Sequence, residues 1–176
     1  MFFKKNTYQE VSQGLEKVFP RLWRYCLALT SNTERANDLA QSVCLRALEK
    51  AHLFEPGTKF DRWVFRIAQR LWINELRAEA VRKGGGLIAI EEIELPDKKS
   101  NQETNLFARQ LLLEVMQLPE AQRTTVILVY VEGFSYKEAA KILDIPIGTV
   151  MSRLASSRTK LAEKFRDGMD DARDGH

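Results

Sequence analysis

Gly84, Gly85 and Gly86 stand in a row near the middle of a chain otherwise poor in helix breakers, and they divide what the rest can build. Three consecutive glycines lose the most backbone entropy on ordering, so a regular element ends at them. On both sides apolar residues recur at three- and four-residue intervals, the period of an amphipathic helix. Only nine Gly and five Pro occur in 176 residues, which argues against a turn-rich sheet sandwich. The 44% hydrophobic residues lie well above the disordered range and supply enough apolar matter for packed cores. The expectation is an all-α protein: two small helical domains joined by a flexible linker.

In the first block, Leu15, Val18, Phe19, Leu22, Trp23, Cys26 and Leu27 predict a helix over 8–30, which Pro20 breaks or kinks. Ala36, Leu39, Ala40, Val43, Cys44, Ala47 and Leu48 predict a second helix over 33–52, with Thr33 and Glu34 as its start. Pro56-Gly57 marks a turn, and Phe60, Trp63, Val64, Ile67, Ala68 and Leu71 open a third helix that runs to about Lys83. Residues 1–83 therefore form one domain and 84–105 a linker, whose piece LIAIEEIEL is apolar enough to dock on a partner. Periodicity resumes at Leu106, pauses at Leu118-Pro119 and restarts over 120–131, so 106–166 form a second domain and 167–176 an acidic tail.

The most specific local pattern is FSYKEAAKILDIPIGTVMSRLASSRTKLA at 134–162. Ser135 followed by Glu138 is a capping box, in which each residue's side chain satisfies an orphan backbone N–H of the other. Ala139, Ala140, Ile142 and Leu143 form an inward stripe, the residues from Asp144 to Pro146 make a short turn, and Pro146 suits the first position of the next helix. That helix turns Val150, Leu154 and Leu161 inward and Thr149, Ser152, Arg153, Ser156 and Ser157 outward. The form is a helix-turn-helix. Arg153, Arg158, Lys160, Lys164 and Arg166 oppose one acid, Glu163, so the second helix carries a positive field suited to phosphates.

Charge is unevenly spread: basic residues outnumber acidic ones 13 to 9 over 1–80 and 9 to 6 over 106–166, whereas acidic ones lead 5 to 4 over 81–105 and 4 to 1 over 167–176. Two basic blocks suit a polyanionic partner. Cys26 and Cys44 lie far apart and form no CxxC pair, and the histidines are His52 and His176 alone, so a zinc site, disulfide framework or His-based catalytic centre is not expected. No cofactor is expected either. With no run of 18 apolar residues and no apolar stretch after MFFKKNTYQE, the chain is expected to insert in no membrane and to work in the cytoplasm.

Two motifs carry a family resemblance over nearly the whole chain. LPEAQRTTVILVYVEGFSYKEAAKILDIPIGTVMSRL resembles the minus-thirty-five-binding domain of extracytoplasmic-function sigma factors of the sigma-70 family, and ANDLAQSVCLRALEKAHLFEPGTKFDRWVFRIAQR resembles their other domain. The resemblance implies a factor that binds bacterial core RNA polymerase and promoter DNA and is held by an anti-sigma factor. It implies a polymerase-docking face at Asp38, Leu39, Gln41, Ser42, Leu45 and Arg46, with Ser42 where an acid is usual. A minus-ten site is implied at Leu53, Phe54, Glu55, Lys59, Arg62, Trp63, Arg66 and Arg70, where Arg70 replaces a commoner Asn. Minus-thirty-five contacts are implied at Ser135, Tyr136, Lys137, Thr149, Met151, Ser152, Arg153, Ser156, Ser157 and Arg158. ALEKAHLFEPGT also looks like the general-stress-response branch. An autonomous helix-turn-helix regulator, and a sigma-like decoy that titrates an anti-sigma factor, remain alternatives; the first leaves residues 1–83 without a task, and the second has no need of the cations over 149–166.

Overall fold

The computed structural model describes the backbone of residues 2–83 and 102–174, and side chains over 7–82 and 106–166. The described residues form helices joined by short turns, with no strand among them, and the chain divides into two compact units. The first is built from α1 (Phe2–Thr30), α2 (Thr33–Glu49) and α3 (Phe60–Lys83), with a 3-10 turn at Ala51–Leu53. The second is built on α4 (Gln102–Met116), α5 (Glu120–Val126), α6 (Tyr136–Leu143) as far as Ala140, and α7 (Ile147–Asp174). Residues 84–101, most of the expected linker, lie outside the described residues, as does its LIAIEEIEL piece.

The three helices of the first unit pack against one another. Val11, Leu15, Val18, Leu22 and Leu29 of α1 meet Ala36, Ala40, Val43 and Ala47 of α2 and Val64, Phe65, Ala68 and Trp72 of α3, all of them buried. The α2 alanines let the helix axes approach closely. Each fully buried Leu, Val or Phe contributes about 1.5–3 kcal/mol, enough to impose helix where local preference is weak. Polar ties fix the register: the Tyr25 hydroxyl donates to Gln69 Oε1 at 2.7 Å inside the core. Arg35 bridges to both Glu75 and Glu79 at 2.8 Å and lies over the Trp72 ring, 4.7 Å from its centroid.

Two local expectations need correction, at Pro20 and at the bounds of the second block. Pro20 does not break α1, which is assigned as one helix from Phe2 to Thr30. The proline is exposed, and the buried stripe continues on both sides of it, so tertiary packing outweighs the one backbone bond it removes. α2 starts at Thr33 as expected, and its cap is Asn32, whose side chain accepts the Arg35 N–H at 2.8 Å. Ser31, at φ 52°, reverses the chain just before it. Finally, α4 starts at Gln102, inside the expected linker, and α7 runs on to Asp174, through most of the expected tail.

In the second unit α5 does not continue as one regular helix to Val131. It passes into a π-helical turn over Ile127–Val131, where the Glu132 N–H donates to Ile127 O at 2.9 Å. The stretch is rich in β-branched residues, which crowd an α-helix. The wide turn leaves Ile127 and Leu128 buried while Tyr130 and Val131 face solvent, and Gly133, at φ 74°, leads the chain out of it.

Candidate nucleic-acid interface

The second unit forms the helix-turn-helix from local signals that all agree. The Ser135 N–H donates to Glu138 Oε2 at 2.9 Å and the Glu138 N–H donates back to Ser135 Oγ at 3.3 Å, the reciprocal capping box. At the other end of α6, Asp144 adopts φ 56° and the Ile145 N–H donates to Ala140 O at 3.1 Å, closing the helix with the six-to-one bond of a Schellman turn. Pro146 precedes α7 instead of opening it, and its carbonyl accepts the Thr149 and Val150 N–H groups. Ala139, Ala140, Ile142 and Leu143 of α6 and Val150 and Leu154 of α7 are buried, each helix turning its apolar stripe away from water.

This packing settles which α7 side chains face solvent. Met151, Ser152, Ser156 and Arg158 are exposed, and Thr149 and Arg153 are half-buried on a flank. Ser157 is not outward as expected: it is 1% exposed and its hydroxyl donates to Arg153 O at 2.7 Å. It follows Val150 and Leu154 in the inward stripe, and its hydroxyl is satisfied by the turn above, so it is unavailable to DNA in this structure. At the mouth of α6, Ser135 and Lys137 are exposed and Tyr136 half-buried.

Two supporting residues escaped the sequence reading as site residues. Gln122 of α5 donates from Nε2 to Ser156 Oγ at 3.0 Å, and Tyr130 of the π turn accepts a hydrogen bond from Arg158 Nη1 at 2.9 Å. The Tyr130 hydroxyl raises the Arg158 pKa above its ordinary value. Both stand in a quoted motif, but their partners lie 34 and 28 residues away. Beside Gln122, Arg123 is 4% exposed and donates to Met116 O at 3.2 Å and Leu118 O at 2.9 Å, capping the end of α4.

In the first unit, Asp38, Gln41, Ser42, Leu45 and Arg46 are exposed on α2, and Leu45 reaches 64% exposure. They recur at three- and four-residue spacing and so form one face. Leu39 does not belong to it: at 3% exposure it points into the core. In the turn after α2, Leu53 is 61% exposed, and Glu55 and Lys59 are exposed. Gly57 takes φ 85° and the Thr58 hydroxyl donates to Glu55 O at 2.7 Å. Phe54 is likewise buried, being 4% exposed, with its ring 5.3 Å from both Phe60 and Trp63. It is the floor of the loop, not a contact on its rim. Trp63 and Arg62 are half-buried, and Arg66 and Arg70 are exposed one turn apart on α3. Gly14 is required here, because a Cβ would stand 2.6 Å from the Phe60 ring.

Burial pushes the Cys26 thiol well above its usual range, with Cys44 adding to the effect, and burial also raises Cys44. Among the described residues no cluster of His, Cys, Asp or Glu could hold a metal ion, and no helix is long and apolar enough to cross a membrane.

Family models match both units in order: sigma-70 region 2 over residues 15–82 and sigma-70 region 4 over residues 108–161. The chain is 34% identical over 155 residues to the ECF RNA polymerase sigma factor EcfG of Rhodopseudomonas palustris, covering 86% of this chain and 83% of the relative. It is 29% identical to the ECF RNA polymerase sigma factor SigW of Bacillus subtilis, covering 93% of this chain and 97% of SigW. Among solved structures it is similar to the sigma factor RpoE of Bartonella quintana, crystallised with the anti-sigma factor NepR. The TM-score is 0.75 at 28% identity, covering 90% of this chain and 98% of that one.

Proposed function

The chain belongs to the extracytoplasmic-function RNA polymerase sigma factors, and from that membership we propose how its two units divide the work of choosing a promoter. It is an alternative sigma factor that binds core polymerase and directs promoter-specific initiation; its family consists of transcription initiation factors. Residues 1–83 bind core polymerase and the opened minus-ten element, 84–105 tether, and 106–166 read the duplex minus-thirty-five element. An autonomous regulator has no use for the first unit, whereas a sigma factor needs both.

The polymerase-facing residues are Asp38, Gln41, Ser42, Leu45 and Arg46, whose shared exposed face on α2 supports the assignment. Leu53, Glu55, Lys59, Arg66 and Arg70 meet the opened strand, where cations follow the backbone and bases leave the stack. Arg62 and Trp63 support them from the half-buried base of the loop. Ser135, Tyr136, Lys137 and the exposed face of α7 meet duplex DNA, with Arg158 held by Tyr130 on the phosphate side. An anti-sigma factor covers these surfaces until a signal removes it, a reading supported by the likeness to RpoE held by NepR. The ALEKAHLFEPGT pattern supports a place in the general-stress branch. The protein acts in the cytoplasm, where core polymerase and promoters are.

The observation that carries this reading is the capped helix-turn-helix in one unit with the α2 face and arginine-bearing α3 in the other. Run-off transcription with bacterial core polymerase on a promoter library tests it. Discrete start sites that appear only when the protein is added are expected; failure to associate with core polymerase would overturn it.

A further inference from the structure

The exposed face of the first three turns of α7 carries no charge. Ile147, Gly148, Met151, Ser152, Ala155 and Ser156 are all exposed, the stripe a 3.6-residue helix turns outward when Val150, Leu154 and Ser157 face in. Ile147 and Met151, at 49% and 53% exposure, are large apolar groups left in water at the end of a recognition helix that enters the major groove. The cations are elsewhere: Arg153 is half-buried on a flank, and Arg158, Lys160, Lys164 and Arg166 come later, where phosphates lie.

The hydroxyls of the stripe are partly engaged within the protein. Ser152 Oγ donates to Thr149 O at 3.1 Å and Ser156 Oγ accepts from Gln122 at 3.0 Å. The commonest specific base contact, the fork of Arg or Lys on guanine O6 and N7, is not offered by this stripe. Its strongest offer is a row of apolar groups at four-residue spacing: Ile147, Met151 and Ala155. The apolar group that base pairs display in the major groove is the C5 methyl of thymine. The later cations of α7 and the neighbouring Arg153 make duplex DNA the occupant that this face suits.

Resting on the reading of α7 as the recognition helix, we propose that this protein reads its upstream promoter element through thymine methyl groups, with Met151 as the main contact and Ile147 and Ala155 beside it. This sets the element's base composition through van der Waals contact, with Arg153 left to one flanking base.

The test uses holoenzyme reconstituted from the full chain and bacterial core polymerase. Duplexes are selected from a pool randomised upstream of the start site, and deoxyuridine then replaces each thymine of the selected element in turn, deleting only its methyl. At one or two positions the exchange weakens binding about three- to fivefold, the effect of one buried methyl. Met151→Ala weakens binding to the thymine duplex by a similar factor and adds nothing on the deoxyuridine duplex, whereas Met151→Arg moves the selected base toward guanine. A thermal melt of Met151→Ala that overlays the parent separates lost contact from lost fold, since the position is exposed and both residues favour helix. Sequence-selective binding indifferent to every deoxyuridine exchange, or a Met151→Ala loss equal on both duplexes, overturns the methyl contact and leaves the recognition helix standing. If the holoenzyme selects no sequence at all, the recognition-helix reading falls and the proposal with it.

Discussion

Arg123 shows how one side chain can define a unit without touching a ligand. Burial lowers its pKa, and the nearby Glu120 partly offsets that. Its two bonds to Met116 O and Leu118 O satisfy carbonyls that the end of α4 leaves open. Arg123→Met keeps the apolar stem but strands both carbonyls, and is expected to lower the stability of the second unit by about 2–3 kcal/mol in urea titrations. Arg123→Lys recovers only part of this, because a single ammonium cannot reproduce the fork. Arg153 acts differently. Its flank position beside the uncharged stripe suits a base or sugar edge, so Arg153→Ala should reduce promoter-specific transcription several times more than binding to random duplex. Equal losses on both would remove it from the reading face.

Among the elements, α6 depends most on its ends. With only eight residues it is too short to hold itself, and the capping box at Ser135 and Glu138 supplies what length does not. Ser135→Ala is expected to destabilise the second unit by about 1 kcal/mol, read as a shift in the urea midpoint with an unchanged slope. A changed slope would mean that the helix-turn-helix no longer folds as part of one transition. α1 makes the opposite point: it carries Pro20 internally and tolerates it because the helix is long and buried on both sides of the ring. The π turn after α5 joins these two cases, since it places Tyr130 against Arg158 and so ties the exit of α5 to α7.

At the level of the whole molecule, each unit has its own core, so the two binding tasks are separable by mutation. Leu45 is 64% exposed and no core depends on it. Leu45→Glu should leave the melting behaviour within about 0.5 kcal/mol of the parent. It should weaken core polymerase binding tenfold or more in a pull-down titration, as loss of a central apolar anchor does. Unchanged polymerase affinity would shift the docking face elsewhere on the first unit.

The fold class, the two helical blocks and the helix-turn-helix could be read from the chain itself. The capping box and the 3.6-residue period are properties of residues a few places apart, and local physics acts at that range. Leu39, Phe54 and Ser157 are buried where an exposed contact was expected. Leu39 lies within the inward stripe of α2, and Ser157 continues the Val150 and Leu154 stripe of α7, so helical spacing already turns both away from water, whereas Phe54 lies in a loop outside any helical period and only packing decides its burial. The same holds for the Gln122–Ser156 and Tyr130–Arg158 bonds, whose partners are 34 and 28 residues apart. The sequence by itself therefore determined the helical class, the two blocks and the helix-turn-helix; tertiary packing decided which side chains remained free to use their chemistry, because burial depends on residues distant in the chain.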